Sequence, residues 1–150
     1  MLISDLLGPA NVLPRLRAPD KAGVLGAMTD HASRAFGVDR TLVFEALSKR
    51  EALGSTGMGG GVAMPHARLA HITAPHALLA RLVSPVDFDA VDGRPVDLVL
   101  LLLLPAASTG AALNAMACAA RCLRDPLVTA ALRNASESDD LYGIVCGRTR

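Results

Sequence analysis

A chain of 150 residues with a formal charge of +1 and 51% apolar residues is long enough to bury one sizeable core. Its near-neutral balance gives no basis for a nucleic-acid partner held by bulk positive charge, and with aromatics at only 3% there is no surface for stacking RNA bases. The longest aliphatic run, Leu98 to Leu104, stops at Pro105, far short of the roughly 20 residues that span a bilayer as a helix, so membrane insertion is not expected.

The first cationic side chain is Arg15, and an N-terminus beginning Met1-Leu2-Ile3-Ser4-Asp5 does not read as a secretory leader; the expected location is cytoplasmic. Ile3 to Leu7 reads as a short helix and Val12 to Leu16 as an extended segment. Asp20 caps a helix with apolar positions Val24, Leu25, Met28, Ala32 and Ala35, stopped by Gly37. Asp39 caps the next, whose stripe of Leu42, Val43, Ala46, Leu47 and Leu53 ends at Gly54. Arg50 falls on that stripe, so its guanidinium is expected to leave the inward face at the helix's C-terminal end. His76 to Val83 and Val96 to Leu104 read as buried strands, with Asp92-Gly93 as a turn between extended segments. Helices follow over Ser108 to Arg124, Pro126 to Arg133 and Glu137 to Val145. The fold this pattern predicts is a single α/β domain, residues 1–150, with one mixed sheet covered by helices.

Between the Arg50 helix and the first long strand, Gly54-Ser55-Thr56-Gly57-Met58-Gly59-Gly60-Gly61-Val62-Ala63-Met64-Pro65-His66 runs glycines into a single histidine. Glycines tolerate positive φ and let backbone N–H groups converge on an anion, while neutral imidazole is a nucleophile near pH 7. A nucleotide loop does not fit. A Walker A motif would need Gly-Lys-Ser/Thr at its end, and the only lysines are Lys21 and Lys49. A dinucleotide fingerprint would open a helix, which Pro65 opposes at Met64. Two readings are left: phosphate chemistry on His66, with Arg50 as a planar donor suited to phosphate oxygens, or a flexible glycine loop whose histidine caps a turn and an Arg50 that complements the helix dipole.

The segment from Arg50 to Leu69, REALGSTGMGGGVAMPHARL, resembles the active-site signature of enzyme IIA domains of the bacterial phosphotransferase system, fructose/mannitol-type superfamily, and within it the nitrogen-related enzyme IIA. Ser84 to Leu98 and the closing Asp139-Asp140-Leu141-Tyr142 resemble later segments of the same family. The resemblance implies a mannitol-type fold and a phosphoryl group passed from an HPr-type phosphocarrier to His66, with no cofactor. It implies that Arg50 and N–H groups from Gly57 through Gly59, Gly60 and Gly61 steady the phosphoryl oxygens, with Ser55 or Thr56 adding a hydroxyl. It also implies regulation of other proteins by phosphorylation state, potassium-transport components and sensor kinases among them. Two alternatives stand beside this: a IIA component of a sugar-uptake system, and a regulator that binds proteins without efficient transfer.

One departure bears on that choice. Related proteins place a second histidine in the helix after Pro105, and the corresponding position here is Ala112; Asn114, two residues on, points elsewhere around a helix. Of the other histidines, His31 reads as a solvated helix residue, while His71 and His76 flank a turn and strand start. A metal set from His66, His71 and His76 is the competing reading. Asp87, Asp89 and Asp92 read as turn residues, and Cys118 and Cys122 as small buried hydrophobes.

Overall fold

The computed structural model describes residues 1–147. Two 3₁₀ turns, Ile3–Asp5 and Pro9–Asn11, precede strand β1 (Val12–Leu16). Helices α1 (Lys21–Phe36) and α2 (Arg40–Ala52) begin where the sequence placed their caps: Asp20 accepts from the Gly23 N–H and Asp39 from the Leu42 N–H. Gly37 closes α1 in the left-handed conformation, φ 69°. Then come β2 (Gly57–Gly59), β3 (Val62–Ala63), β4 (His66–Leu69), β5 (His76–Val86) and β6 (Val96–Pro105), followed by α3 (Thr109–Arg124), α4 (Pro126–Asn134) and α5 (Ser138–Gly147).

The six strands form one mixed sheet. β5 lies between β1, parallel to it, and β6, antiparallel to it. Along the other edge of β6 run β3 and β4 in succession, both parallel to it, and β2 adds antiparallel to β3. The aliphatic run of β6 is buried throughout because both faces of the strand are covered. Leu98, Leu100, Leu102 and Leu104 pack under α3, α4 and α5, while Val99, Leu101 and Leu103 pack under α1 and α2. The predicted mixed sheet covered by helices is the observed architecture.

Some expectations need correction. The N-terminal helix is only the Ile3–Asp5 turn, and β5 continues three residues past Val83. The α2 stripe is narrower than its apolar pattern suggests: Val43 and Leu47 are buried, but Leu42 and Leu53 are exposed. His31 is half-buried, with Nε2 3.3 Å from Asn11 Oδ1, rather than solvated.

The largest difference lies in the glycines, which form a β-hairpin between β2 and β3. Gly59, Gly60 and Gly61 all have positive φ, at 92°, 67° and 79°. The Gly60 N–H donates to the Asp92 carboxylate at 2.9 Å, and its carbonyl accepts from Arg133 Nη2 at 2.7 Å. Arg133 also grips Asp97 through Nε at 3.1 and 3.0 Å and Nη2 at 2.8 Å, tying the turn to the start of β6 and to α4. A Cβ on Gly61 would lie 2.6 Å from Arg133 Nη2 and 3.0 Å from Asp97 Oδ1. Gly61→Ala should therefore lose about 2 kcal/mol in urea unfolding, from backbone strain and the displaced guanidinium together. A wild-type midpoint would show that the turn is not held this way.

Candidate active site around His66

From Val62 to Leu69 the chain runs along β6 as one extended stretch interrupted at Met64-Pro65. Proline has no N–H to give, but its carbonyl accepts from the Leu102 N–H at 2.9 Å, so the ladder resumes at once and seats His66 opposite Leu102. Successive side chains of β4 alternate between faces. Ala67 and Leu69 enter the core under α1 and α2, leaving His66 and Arg68 on the α3 side.

The imidazole is half-buried, and its Nδ1 lies 3.0 Å from the Met64 carbonyl oxygen. A carbonyl can only accept, so Nδ1 donates, and in the neutral ring the lone pair is then on Nε2. Of the two ring nitrogens that the sequence left open, Nδ1 is engaged by the backbone and Nε2 is the one left without a hydrogen-bond partner among the described residues.

Two adjoining clefts meet at His66. One is lined by Ala46, Lys49, Arg50, Ala67, Arg68, Leu104, Ala112, Leu113 and Met116. The other is lined by Arg50, Ser55, Thr56, Gly57, Met58, Met64, Met116 and Arg124 among others. Arg50 and Met116 border both, as does His66. Four cationic side chains, Lys49, Arg50, Arg68 and Arg124, line these clefts and no carboxylate does, which contrasts with the overall charge of +1. The walls between them are aliphatic and thioether, with Lys49, Arg68 and Arg124 exposed and Arg50 half-buried at their borders, an arrangement of planar and point-charge donors suited to an anion.

Arg50, Ser55, Thr56, Gly57 and His66 are thus brought together. Gly59, Gly60 and Gly61 do not line either cleft; their hairpin turns toward Asp92 and Arg133 instead. The donors nearest the site are also engaged: the Gly57 N–H gives to Ser55 Oγ at 3.0 Å, Ser55 Oγ donates to the Phe88 carbonyl, and Thr56 Oγ1 donates to Glu51. A bowl of free N–H groups is therefore not what the glycines build; their φ freedom is used to fold the hairpin. Arg50 Nη1 donates to the Gly54 carbonyl at 2.8 Å, which holds the guanidinium over the loop and leaves its remaining N–H groups available.

Arg68, Lys49 and Arg124 were missed in the sequence. Once His66 is known to start a strand, period-two alternation alone places Arg68 on its face. Ala112, 1% exposed in the first turn of α3, lines the same cleft as His66, whereas Asn114 is exposed and lines neither cleft. His71 is exposed in a turn, and the His76 ring stacks on Phe36 at 4.4 Å, where burial lowers its pKa. Among the described residues no three His, Cys, Asp or Glu side chains converge as a metal site.

A family model described as "Phosphoenolpyruvate-dependent sugar phosphotransferase system, EIIA 2" matches residues 5–146, and the chain belongs to this family of phosphoryl carriers. Within it, the similarity is to nitrogen regulatory proteins. One from Bradyrhizobium diazoefficiens is 39% identical over 145 residues, covering 97% of this chain and 95% of that one. The crystal structure of nitrogen regulatory protein IIA-Ntr from Neisseria meningitidis superposes with a TM-score of 0.89 at 31% identity, covering 95% and 98% of the two chains. The IIA mannitol structure from Escherichia coli, at 17% identity, shares the fold with a TM-score of 0.78 over 92% and 97%. No helix among the described residues is long and apolar enough to cross a membrane.

Away from the site, Cys118 and Cys122 are buried one turn apart on α3. Burial, with Cys118 and Cys146 nearby, pushes the Cys122 thiol up to about 11. Because the thiolate is the reactive form, iodoacetamide at neutral pH should leave Cys122 unmodified in the folded chain and modify it in urea. Prompt modification of the native chain would contradict this placement.

Proposed function

We propose that the chain carries a phosphoryl group on His66 Nε2, taken from an HPr-type phosphocarrier of the nitrogen-related phosphotransferase system. The observation that supports this reading best is the hydrogen bond from Nδ1 to the Met64 carbonyl, with the unprotonated Nε2 left beside cleft walls bearing Arg50 and Arg68 and no carboxylate. In the transfer, the Nε2 lone pair attacks phosphorus as the P–N bond to the carrier histidine breaks, and the leaving imidazole takes that bond's electron pair. No proton has to move on His66. Its Nδ1–H stays in place, and the Met64 carbonyl steadies the positive ring that results. Such a step needs positioning and charge stabilisation rather than a redox or acid–base cofactor. Arg50 supplies the charge, and the Ser55–Gly57 loop holds the wall behind it.

The output follows from charge. Phosphorylation adds about 1.5 to 2 negative charges to a cleft of opposite sign, enough to create or abolish a docking site. The relatives named nitrogen regulatory protein cover nearly the whole chain at up to 39% identity and support a regulatory output, while fructose-specific EIIA components also match, at 27% identity or over 58% of the chain. A second reading, a regulator with weak transfer, draws on one observation: Ala112 puts a methyl group where the family resemblance implies a histidine.

His66→Ala should abolish acid-labile labelling from phosphorylated carrier, whereas His31, His71 and His76 variants keep it; persistent labelling of His66→Ala would refute the proposal. Arg50→Ala should slow transfer about 10- to 1000-fold with the fold intact, the scale for losing an electrostatic donor. Restoring the ring with Ala112→His should speed onward transfer without adding a labelled site. An equal or slower rate in that variant would show that the phosphoryl group is already fully steadied by the cations present.

A further inference from the structure

The residue after Arg50 carries the least exposed carboxylate among the ion pairs of the described residues. The Glu51 side chain is 6% exposed, and its two oxygens accept from three donors: Thr56 Oγ1, the Thr56 N–H at 3.3 Å, and Lys21 Nζ at 3.1 Å. Lys21 reaches it from the first turn of α1, over the ring of Phe88 at 5.3 Å and with Asp89 as a second, exposed partner at 3.5 Å. A carboxylate taken this far out of water is strongly unfavourable unless its lone pairs are filled, and here both oxygens are.

The contacts continue from Thr56 to the nucleophile. The Thr56 carbonyl accepts from the Met64 N–H at 3.0 Å, and the Met64 carbonyl accepts from His66 Nδ1 at 3.0 Å. Met64 therefore receives its orientation from Thr56 and passes it to the imidazole. Pro65 restricts the backbone of Met64 to extended conformations, so the peptide holding Nδ1 has little freedom apart from what Thr56 allows.

We infer that Glu51, held by Lys21, is a positioning residue for His66: through Thr56 and Met64 it fixes the Nδ1–H tautomer and keeps Nε2 aimed into the cationic cleft. Glu51 lines neither cleft and does not touch the imidazole; it holds Thr56, which borders the second cleft, and its effect on the ring is carried by two hydrogen-bonded backbone steps. The consequence for transfer rests on His66 being the phosphoryl acceptor; the consequence for the tautomer does not.

The sequence signal was present in REALGST, where Glu51 and Thr56 bracket the end of α2. Helix periodicity gives no reason to single out Glu51. What distinguishes it is burial, supplied by Lys21 and Phe88 from elements distant in the chain.

The test is ¹⁵N NMR of the His66 ring in the full unphosphorylated chain, together with the rate of transfer from phosphorylated carrier. Wild type should show Nδ1–H as the dominant neutral tautomer. Glu51→Gln should shift His66 toward a mixture of tautomers, leave His31 and His71 unchanged, and slow transfer about 10- to 100-fold, the scale of a small misplacement of a reacting group. Thr56→Val, which removes only the hydroxyl contact, should move both readouts the same way, and Thr56→Ser should restore them. If Glu51→Gln fails to fold, Thr56→Val and Thr56→Ser decide the question alone. A wild-type His66 tautomer in folded Glu51→Gln or in Thr56→Val would overturn the inference, even if transfer were slowed. A chain whose tautomer responds as expected but whose His66 never takes up phosphate would overturn the proposed function and leave the positioning chain standing.

Discussion

The hydrogen bond from His66 Nδ1 to the Met64 carbonyl decides what this site can do chemically. It selects one tautomer of a ring that would otherwise sample two, and it leaves the lone pair on the nitrogen next to the cations. Much of the surrounding fold serves to keep Met64 where it is. β3 and β4 pair with β6 on either side of the Met64-Pro65 break, the Pro65 carbonyl bonds the Leu102 N–H, and Thr56 holds the Met64 N–H. The sheet partner, β6, is itself fixed by leucines buried on both faces. The precision of the site thus comes from the middle of the sheet, although the imidazole itself is only half-buried.

Electrostatics add a second constraint. A chain with a formal charge of +1 lines the His66 clefts with Lys49, Arg50, Arg68 and Arg124 and keeps its acids elsewhere: Glu51 on Lys21 and Thr56, Asp92 on the glycine turn, Asp97 on Arg133. In the proposed role this separation of charge matters in both directions. It favours an arriving phosphoryl group, and it makes the phosphorylated and unphosphorylated surfaces different enough for a partner protein to distinguish. Ala112 adds only a methyl group to the wall, and that cleft is largely apolar between its cations.

The long elements were legible because their signals are local: the caps Asp20 and Asp39, the stop at Gly37, and an uninterrupted aliphatic run too short for a membrane and suited to a strand covered on both faces. The glycine stretch was not. Its residue types announce backbone freedom without saying what uses it, and here the freedom closes a hairpin whose partners, Asp92, Asp97 and Arg133, come from distant parts of the sequence. His66 and Arg50 stood out through motif and helix position. Arg68 stayed hidden because β4 is only four residues long and follows a proline. The burial of Glu51 depends on Lys21 and could not be read from α2 alone. Leu42 and Leu53 misled for the opposite reason, since apolar residues on a helix need not face its core.

The role proposed for His66 is tested most directly by which ring nitrogen becomes phosphorylated. Coupling between ³¹P and ¹⁵N in the chain labelled at histidine and charged by phosphorylated carrier reads this without any substitution. The geometry predicts phosphorus on Nε2 of His66, with the proton retained on Nδ1. Phosphorus on Nδ1, or on any other histidine, would contradict it.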